Sequence, residues 1–591
     1  MRARGSLFRG LRAIATVLSA AAVAAGCGRP PVETRSRDLV TGHGLRTDGQ
    51  VLRPQEVLAA DETWVAVTLP GGRPANALLE LASEPVLVLA GSLDCGGAPP
   101  AEGVFHGVVE PDLGRPIEFR FELAESAGWW RHEIELGRLG GRGAELRIEA
   151  EVPPECALRL REVSVLDRRP VAPQRDAGRV QLLLISVDTL RHDAVGVLTT
   201  PNLERLAAES ESFDSCYAAA SWTKPSHASM LTGFHPDTHR ALLADHAIDP
   251  ALPTLAARLQ GGGLATGALV YDCTWLSPRW GFGKGFDSYQ VTRWRAGQQA
   301  EAAAEWLFDH RDRDFFFFLH TFEPHSDFNV LPYEAPGLSR ASIAARFGVQ
   351  DFGCRDGICA SQLLAALSRG QVPARSTDRE ILRASYDAGV RYLDASLGTL
   401  FERLRRGGLW DRLMVIVTSD HGEEFAEHGG YGHETLHEEV LRVPLIVKWP
   451  QGQRAGEVNE APRSGIDLAP TLLHAAGLPL DDLPGTDLRE KSPEAVIMAG
   501  TLERAVIADG LKGFFDGKGP DRLFDLAADP GETTDLAAAR PDELRRLAGM
   551  LDAERRRALA LYRRLGSSGE AGKVELSEAE RERLRAFGYL Q

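Results

Sequence analysis

Hydrophobic positions change their period along the chain, and the changes divide it. Between residues 61 and 170, short runs alternate apolar with polar residues and are separated by Gly- and Pro-containing turns. In Ile117-Glu118-Phe119-Arg120-Phe121 the apolar residues fall on one face, as a half-buried strand requires. Similar runs occur at 64–68, 85–89, 145–150 and 158–163, and together they predict a small β-sandwich domain. After Pro170 the texture changes. Continuous apolar runs at 180–187, 315–319, 413–417 and 443–449 read as strands buried on both faces. Between them, Tyr386, Val390, Leu393, Leu397, Leu400 and Leu404 recur at spacings of three and four, the stripe of a core-facing helix. Strands alternating with such helices predict an α/β domain over 176–540. The tail, 541–591, is rich in Arg, Glu and Leu and predicts helices packed on that domain or lying across its surface. Residues 27–60, with Pro30-Pro31 and mixed polar positions, read as a linker.

The first 26 residues follow a third pattern. Arg2, Arg4, Arg9 and Arg12 precede an apolar stretch over 13–26, too short to span a bilayer but suited to a signal-peptide core. It ends Ala24-Ala25-Gly26-Cys27, which resembles the lipobox of bacterial lipoproteins. That resemblance implies cleavage before Cys27, a lipid on its thiol, and a protein anchored in the bacterial cell envelope, at the periplasmic or outer membrane. An ordinary signal peptide with an incidental cysteine is the alternative. No other segment reads as a membrane span.

Length, charge and cysteines add bounds. A chain of 591 residues calls for several domains, and 43% hydrophobic with 25% charged residues is an ordinary globular composition. The net charge of −16 makes the chain a poor sheath for nucleic acid, which needs a basic surface. Apart from Cys27, the cysteines are Cys95, Cys156, Cys216, Cys273, Cys354 and Cys359. An exported protein permits disulfides, and Cys95–Cys156, Cys354–Cys359 and the leftover Cys216–Cys273 are the expected pairs, although many other connectivities exist.

Two buried strands end in acids: Ser186-Val187-Asp188-Thr189 and Thr418-Ser419-Asp420-His421-Gly422. Ligands of open α/β sheets bind at the carboxyl ends of strands, so Asp188 and Asp420 fall where a site belongs. Two carboxylates beside an imidazole form a divalent-metal donor set. Between them lies Ser221-Trp222-Thr223-Lys224-Pro225-Ser226-His227. Pro225 suits the first turn of a helix, which sets Thr223 at a helix N-terminus where backbone N–H groups face an anion. A threonine hydroxyl is a weak nucleophile unless a metal or base lowers its pKa. Alone, Thr223 would read as a helix cap.

Together these segments resemble the alkaline phosphatase superfamily, specifically its sulfatase branch. The matching stretches run in order: Asp188-Thr189-Leu190-Arg191, Thr223-Lys224-Pro225-Ser226-His227, Glu323-Pro324-His325, Asp420-His421-Gly422-Glu423-Glu424, and Gly432-His433 through Pro444. The resemblance covers about 180–590 and implies an alkaline-phosphatase-like mixed sheet sandwiched by helices. Region 28–170 lies outside it and fits a sandwich of the carbohydrate-binding-module type, in which Trp129-Trp130 is a candidate sugar platform.

The departures from the family's pattern carry as much as the matches. Formylglycine-using sulfatases begin their signature with Cys or Ser, whereas Thr223 cannot give the aldehyde. Their signature arginine is His227 here, their paired aspartates become Asp188 and Thr189, their Asp-Asn pair becomes Asp420-His421, and their later lysine becomes His433. Fewer carboxylates and an added imidazole favour one Zn²⁺ or Mn²⁺ over Ca²⁺. The resemblance therefore implies a hydrolase of phosphate, phosphonate or sulfate esters in which Asp188, Thr223, Asp420 and His421 hold one metal and Thr223 is the nucleophile. His325 and His433 would hold nonbridging oxygens or protonate the leaving group. Lys224 and His227 are further candidates for the anion, and His320 and His437 read as structural or as supports for the ligands. The expected substrate is a small-molecule or glycan ester. A sulfuric ester hydrolase proper, a phosphoalcohol transferase acting on envelope glycans and a non-catalytic glycan-binding lipoprotein are the alternatives.

Overall fold

A computed structural model describes residues 178–565 apart from 327–330, 350–351, 356 and 518, together with most of 32–170, 572–574 and 581. The signal segment, Cys27 and Trp129 lie outside the described residues.

The N-terminal region is a sandwich of two antiparallel sheets, as its alternation predicts. The Pro85–Asp94 strand pairs with Ala157–Pro170, and Gly143–Glu151 pairs with Glu102–Pro111. Their inward residues, among them Leu87, Leu89, Phe105, Leu146 and Leu160, form one buried cluster. The Cys95–Cys156 disulfide sits at its edge. The expected linker is a correction. Val32–Asp38 pairs along the end of the Ala157–Pro170 strand, and Gln55–Ala59 pairs with Glu62–Leu69. An edge strand is held by backbone hydrogen bonds, so a polar stretch such as Val32–Asp38 shows no apolar period. Trp130, partly buried, packs against that cluster at 5.6 Å from Phe105 and 6.4 Å from Phe121.

The second domain is built on a nine-stranded mixed sheet. Its order is Ser288–Thr292, Ala265–Tyr271, Phe315–Thr321, Gln181–Val187, Met414–Ser419, Arg442–Lys448 and Glu211–Tyr217, with the short Val458–Asn459 and Arg463–Ser464 strands beyond. The central strands are parallel, and Arg442–Lys448 reverses direction. Leu182 and Leu184 enter the core on one face, and Leu183, Ile185 and Val187 enter the core on the other. Two-sided burial is why these strands are apolar without alternation. The helix Asp378–Arg406 covers one face and buries Tyr386, Val390, Leu393, Leu397, Leu400 and Leu404. Val496–Ala499, Arg504–Ala508, Leu511–Phe515 and Arg522–Asp525 form a separate antiparallel sheet, against which the helix Pro541–Leu565 buries Leu547 and Leu551.

The Cys354–Cys359 disulfide forms as expected, but Cys216 and Cys273 are free. Cys216 is buried in the Glu211–Tyr217 strand, while Cys273 follows the Ala265–Tyr271 strand at the far side of the sheet order, so the leftover pairing is wrong. Among the described residues, no helix is long and apolar enough to cross a membrane.

Candidate active site

Strands Gln181–Val187 and Met414–Ser419 are parallel neighbours, so the residues that follow them emerge side by side. Asp188 and Asp420 are both fully buried there. Chain direction is fixed at once by Thr189, a β-branched residue in the left-handed region at φ 58°. Its N–H donates to Asp420 Oδ1 at 3.2 Å, its hydroxyl donates back to the Asp188 carbonyl at 2.8 Å, and its carbonyl accepts from the Tyr386 hydroxyl at 2.8 Å. The Thr189 side chain thus turns to its own backbone and leaves the site.

The helix Thr223–Thr232 begins at Thr223 itself, one residue further into the helix than a cap. Ser226 anchors this helix by donating its hydroxyl to the Asp420 carbonyl at 2.6 Å. Thr223 Oγ1 then stands 3.4 Å from Asp188 Oδ2 and 3.5 Å from His421 Nε2. His421 Nδ1 lies 2.9 Å from the Gly422 carbonyl, to which it donates, so the Nε2 lone pair faces Thr223 and the carboxylates. That nitrogen is 3.5 Å from Asp188 Oδ1 and 3.4 Å from Asp420 Oδ2. Gly422 is required at the turn, because a Cβ there would overlap the Glu439 carbonyl oxygen.

The donor set fits a divalent cation. Ligand atoms of Asp188, Asp420 and His421 all lie within 4.8 Å of one another. Asp420 Oδ2 is buried and accepts no hydrogen bond. Burial first, and the Asp188 charge second, push the Asp420 carboxyl well above the usual carboxylate range. A cation among these atoms would supply the missing partner and cancel that penalty. Burial also holds His421 and His325 well below the ordinary imidazole value, which keeps them neutral with lone pairs to offer.

Three further imidazoles surround this centre. His320 Nε2 lies 3.1 Å from Asp188 Oδ2 and fixes that carboxylate. His325 stacks on Phe322, with ring centroids 4.1 Å apart, and brings Nε2 to 3.7 Å from Asp188 Oδ1. His433 packs 4.4 Å from the His421 ring and 5.3 Å from that of His325. Glu423, fully buried, sets a carboxylate oxygen 3.4 Å from His433 Nδ1.

Two expected residues are used elsewhere. Lys224 points away from the Thr223 hydroxyl, and its ammonium donates to the Leu243 and Ala244 carbonyls, at 2.8 Å each, 3.9 Å from the Trp280 ring centroid. Burial holds its pKa well below the ordinary lysine value. His227 spends both ring nitrogens: Nδ1 donates to the Thr223 carbonyl and Nε2 accepts from the Ser186 hydroxyl, both at 2.9 Å. It therefore fixes the nucleophile's backbone, with Nδ1 also 3.3 Å from Asp420 Oδ2.

The other candidate metal groups fare less well. Cys273 and His320 form a second group that shares Asp188 with the first, and burial raises the Cys273 thiol pKa well above the ordinary value. His428, His437 and Glu532 form a third group, yet Lys512 Nζ already neutralises Glu532 from 2.9 Å. Ser186 and Tyr386 are the functional neighbours that sequence reasoning missed. Ser226 and Glu423 carried a signal only through their places inside the matching Thr223–His227 and Asp420–Glu424 stretches.

This arrangement of strand-end acids and a helix-borne hydroxyl coincides with a known family. The sulfatase family model matches residues 181–478. The chain belongs to the sulfatase family. Among its sulfatase relatives, the choline-sulfatase of Rhizobium meliloti is 34% identical over 170 residues, covering 26% of this chain and 33% of that protein. The N-acetylglucosamine-6-O-sulfatase of Bacteroides thetaiotaomicron is 24% identical over 376 residues, covering 50% of this chain and 66% of that protein. The matches thus span a third to just under two thirds of these relatives. The phosphonate monoester hydrolase of Agrobacterium radiobacter shares the fold, with a TM-score of 0.52 at 20% identity over 64% of this chain and 96% of that one. The N-terminal sandwich lies outside the sulfatase match.

Proposed function

We propose that this sulfatase-family chain is a metal-dependent hydrolase of sulfate, phosphate or phosphonate esters with Thr223 as its nucleophile. One observation carries the reading: the Thr223 hydroxyl lies within 3.5 Å of both Asp188 and His421 at the first turn of a buried helix. Family membership supports the reaction class.

Asp188, Asp420, His421 and Thr223 would hold one divalent ion, with Zn²⁺ or Mn²⁺ favoured by two carboxylates, an imidazole and a hydroxyl. When bound, the ion acidifies the threonine hydroxyl and balances charge on the ester's oxygens. Thr223 Oγ1, its proton lost to solvent, forms a bond to phosphorus or sulfur while the bond to the alcohol oxygen breaks. Backbone N–H groups at the helix start offer hydrogen bonds to the nonbridging oxygens. His433 passes a proton to the departing alcohol, with Glu423 3.4 Å from its Nδ1 and the His325 ring 5.3 Å away. Water then attacks the phosphorus or sulfur of the threonine adduct and gives its proton to His433, the bond to Thr223 Oγ1 breaks, and phosphate, phosphonate or sulfate leaves. His227 and Ser226 do no chemistry; they fix the helix start against Asp420 and Thr223. An exported lipoprotein anchored through Cys27 completes the proposal, motivated by the Arg-rich apolar leader.

The test is a parallel assay of aryl and alkyl phosphates, phosphonates and sulfates with purified protein loaded with Zn²⁺, Mn²⁺ or Ca²⁺. Turnover with one of these metals and none with Thr223→Ala is expected, with Thr223→Ala still holding the ion. An active Thr223→Ala enzyme would overturn the assignment.

A further inference from the structure

His433 is carried by a loop rich in glycine. Gly429 and Gly432 have φ of 90° and 100°, a left-handed conformation that glycine adopts freely, and Gly430 lies between them. Such a segment has much conformational entropy to lose on ordering. One buried carboxylate orders it. Glu424 is 1% exposed. Its Oε1 accepts from the His428 amide at 2.9 Å and from the Gly430 amide at 3.1 Å, and its Oε2 accepts from the Thr435 hydroxyl at 3.1 Å. These partners lie before and after His433 in the chain, so one side chain gathers both ends of the loop. Hydrogen bonds to a carboxylate are shorter and stronger than those to a neutral oxygen.

The residues just before His433 are held as well. Tyr431 and Gly432 pair with Phe425 and Glu424 in a short antiparallel ladder. On its other side the Tyr431 N–H donates to the Ser368 hydroxyl at 2.8 Å, at the end of the helix Ser361–Ser368. Glu423, fully buried, keeps a carboxylate oxygen 3.4 Å from His433 Nδ1. The two neighbouring carboxylates thus take different parts: Glu423 faces the imidazole, and Glu424 faces the backbone that carries it.

We propose that Glu424 is a positioning residue for His433: by bracing residues 428–435 it holds the imidazole where it can give its proton to the departing alcohol oxygen. The proposal rests on the reading of His433 as the general acid. A proton donor acts only within hydrogen-bond reach of the atom it protonates, and a misplacement of about 1 Å can cost about 10²-fold in rate. Glu424 touches no reacting atom, and its effect passes through the loop.

Alkyl and activated aryl esters of the same acid separate this role from a general loosening, because only the alkyl alcohol needs a proton on leaving. In Glu424→Ala, kcat for alkyl esters should fall by about 10²-fold, while KM and the turnover of activated aryl esters change little. Glu424→Gln keeps an oxygen for the two amides and should retain most of the alkyl rate. In a His433→Gln background, Glu424→Ala should cost alkyl esters nothing further, since the group it positions is already gone. Thr435→Val removes one donor at nearly constant shape, and Ser368→Ala changes an exposed position, so both report on the loop even if Glu424→Ala does not fold. Each should show the same alkyl-selective loss on a smaller scale. Equal losses for alkyl and aryl esters across these variants, or a further alkyl-selective loss from Glu424→Ala in His433→Gln, would overturn the proposal while leaving His433 as the acid. If His433→Gln itself slows both ester classes equally, the acid reading falls, and this proposal with it.

Discussion

Replacing Glu532 with Gln should expose how the C-terminal sheet holds the loop that carries His433. The buried Glu532 carboxylate accepts from His437 Nδ1 at 3.0 Å and from the Glu438 amide at 2.8 Å, and it faces Lys512 Nζ at 2.9 Å. Burial by itself would raise its pKa, but the Lys512 ammonium and the His437 hydrogen bond outweigh burial and hold it at about 2. The gap between an ordinary value of 4.5 and about 2, at about 1.4 kcal/mol per pH unit, corresponds to about 3 kcal/mol of stability. Because the folded value is depressed, that stability is fully present above the unfolded value and is lost as pH falls from there towards the folded one. Urea unfolding of wild type and Glu532→Gln, compared between about pH 7 and about pH 3, isolates this group from other carboxylates. The variant should be less stable by about 3 kcal/mol at neutral pH, with the gap closing in acid. A gap that stays constant with pH would refute the assignment of the charge to this ion pair.

Other perturbations address the site and the first domain. His433→Gln should slow alkyl esters by about 10²–10⁴-fold and activated aryl esters far less, because only the former need a proton on leaving; equal losses for both would assign His433 another role. Gly422→Ala should displace His421, since its Cβ meets the Glu439 carbonyl, and metal content after dialysis should fall while circular dichroism is unchanged. Cys95→Ser opens a loop of sequence separation 61 and should destabilise the N-terminal sandwich by about 4 kcal/mol, seen as a lowered thermal midpoint for that domain.

Much of this protein was legible in its sequence because burial leaves a periodic trace. The runs at 180–187 and 413–417 lack alternation because both sheet faces are covered, and the 386–404 stripe follows the helix that covers one of them. Asp188, Asp420, His421 and Thr223 were found through short ordered motifs at strand ends, and the fold brings all of them together. What could not be read was direction. Lys224 neighbours Thr223 in sequence, but successive helix residues point about 100° apart, and its side chain leaves for the Leu243 and Ala244 carbonyls. His227 was expected at the anion, yet one turn along the helix it meets the Thr223 carbonyl and Ser186. The strands within 27–60 were invisible because edge pairing needs backbone groups and little else. Cysteine pairing by elimination failed at Cys216 and Cys273 because nothing in the count of cysteines encodes distance across a sheet.

The central claim is that Thr223 becomes covalently linked to the group it attacks. Rapid acid quench of the metal-loaded enzyme during turnover of an activated aryl ester, followed by intact-mass analysis and peptide mapping, tests it most directly. A phosphoryl or sulfuryl adduct on the peptide containing Thr223, absent from Thr223→Ala, is the predicted result. Turnover in which no adduct forms on Thr223, or in which the adduct maps to another residue, would contradict the account.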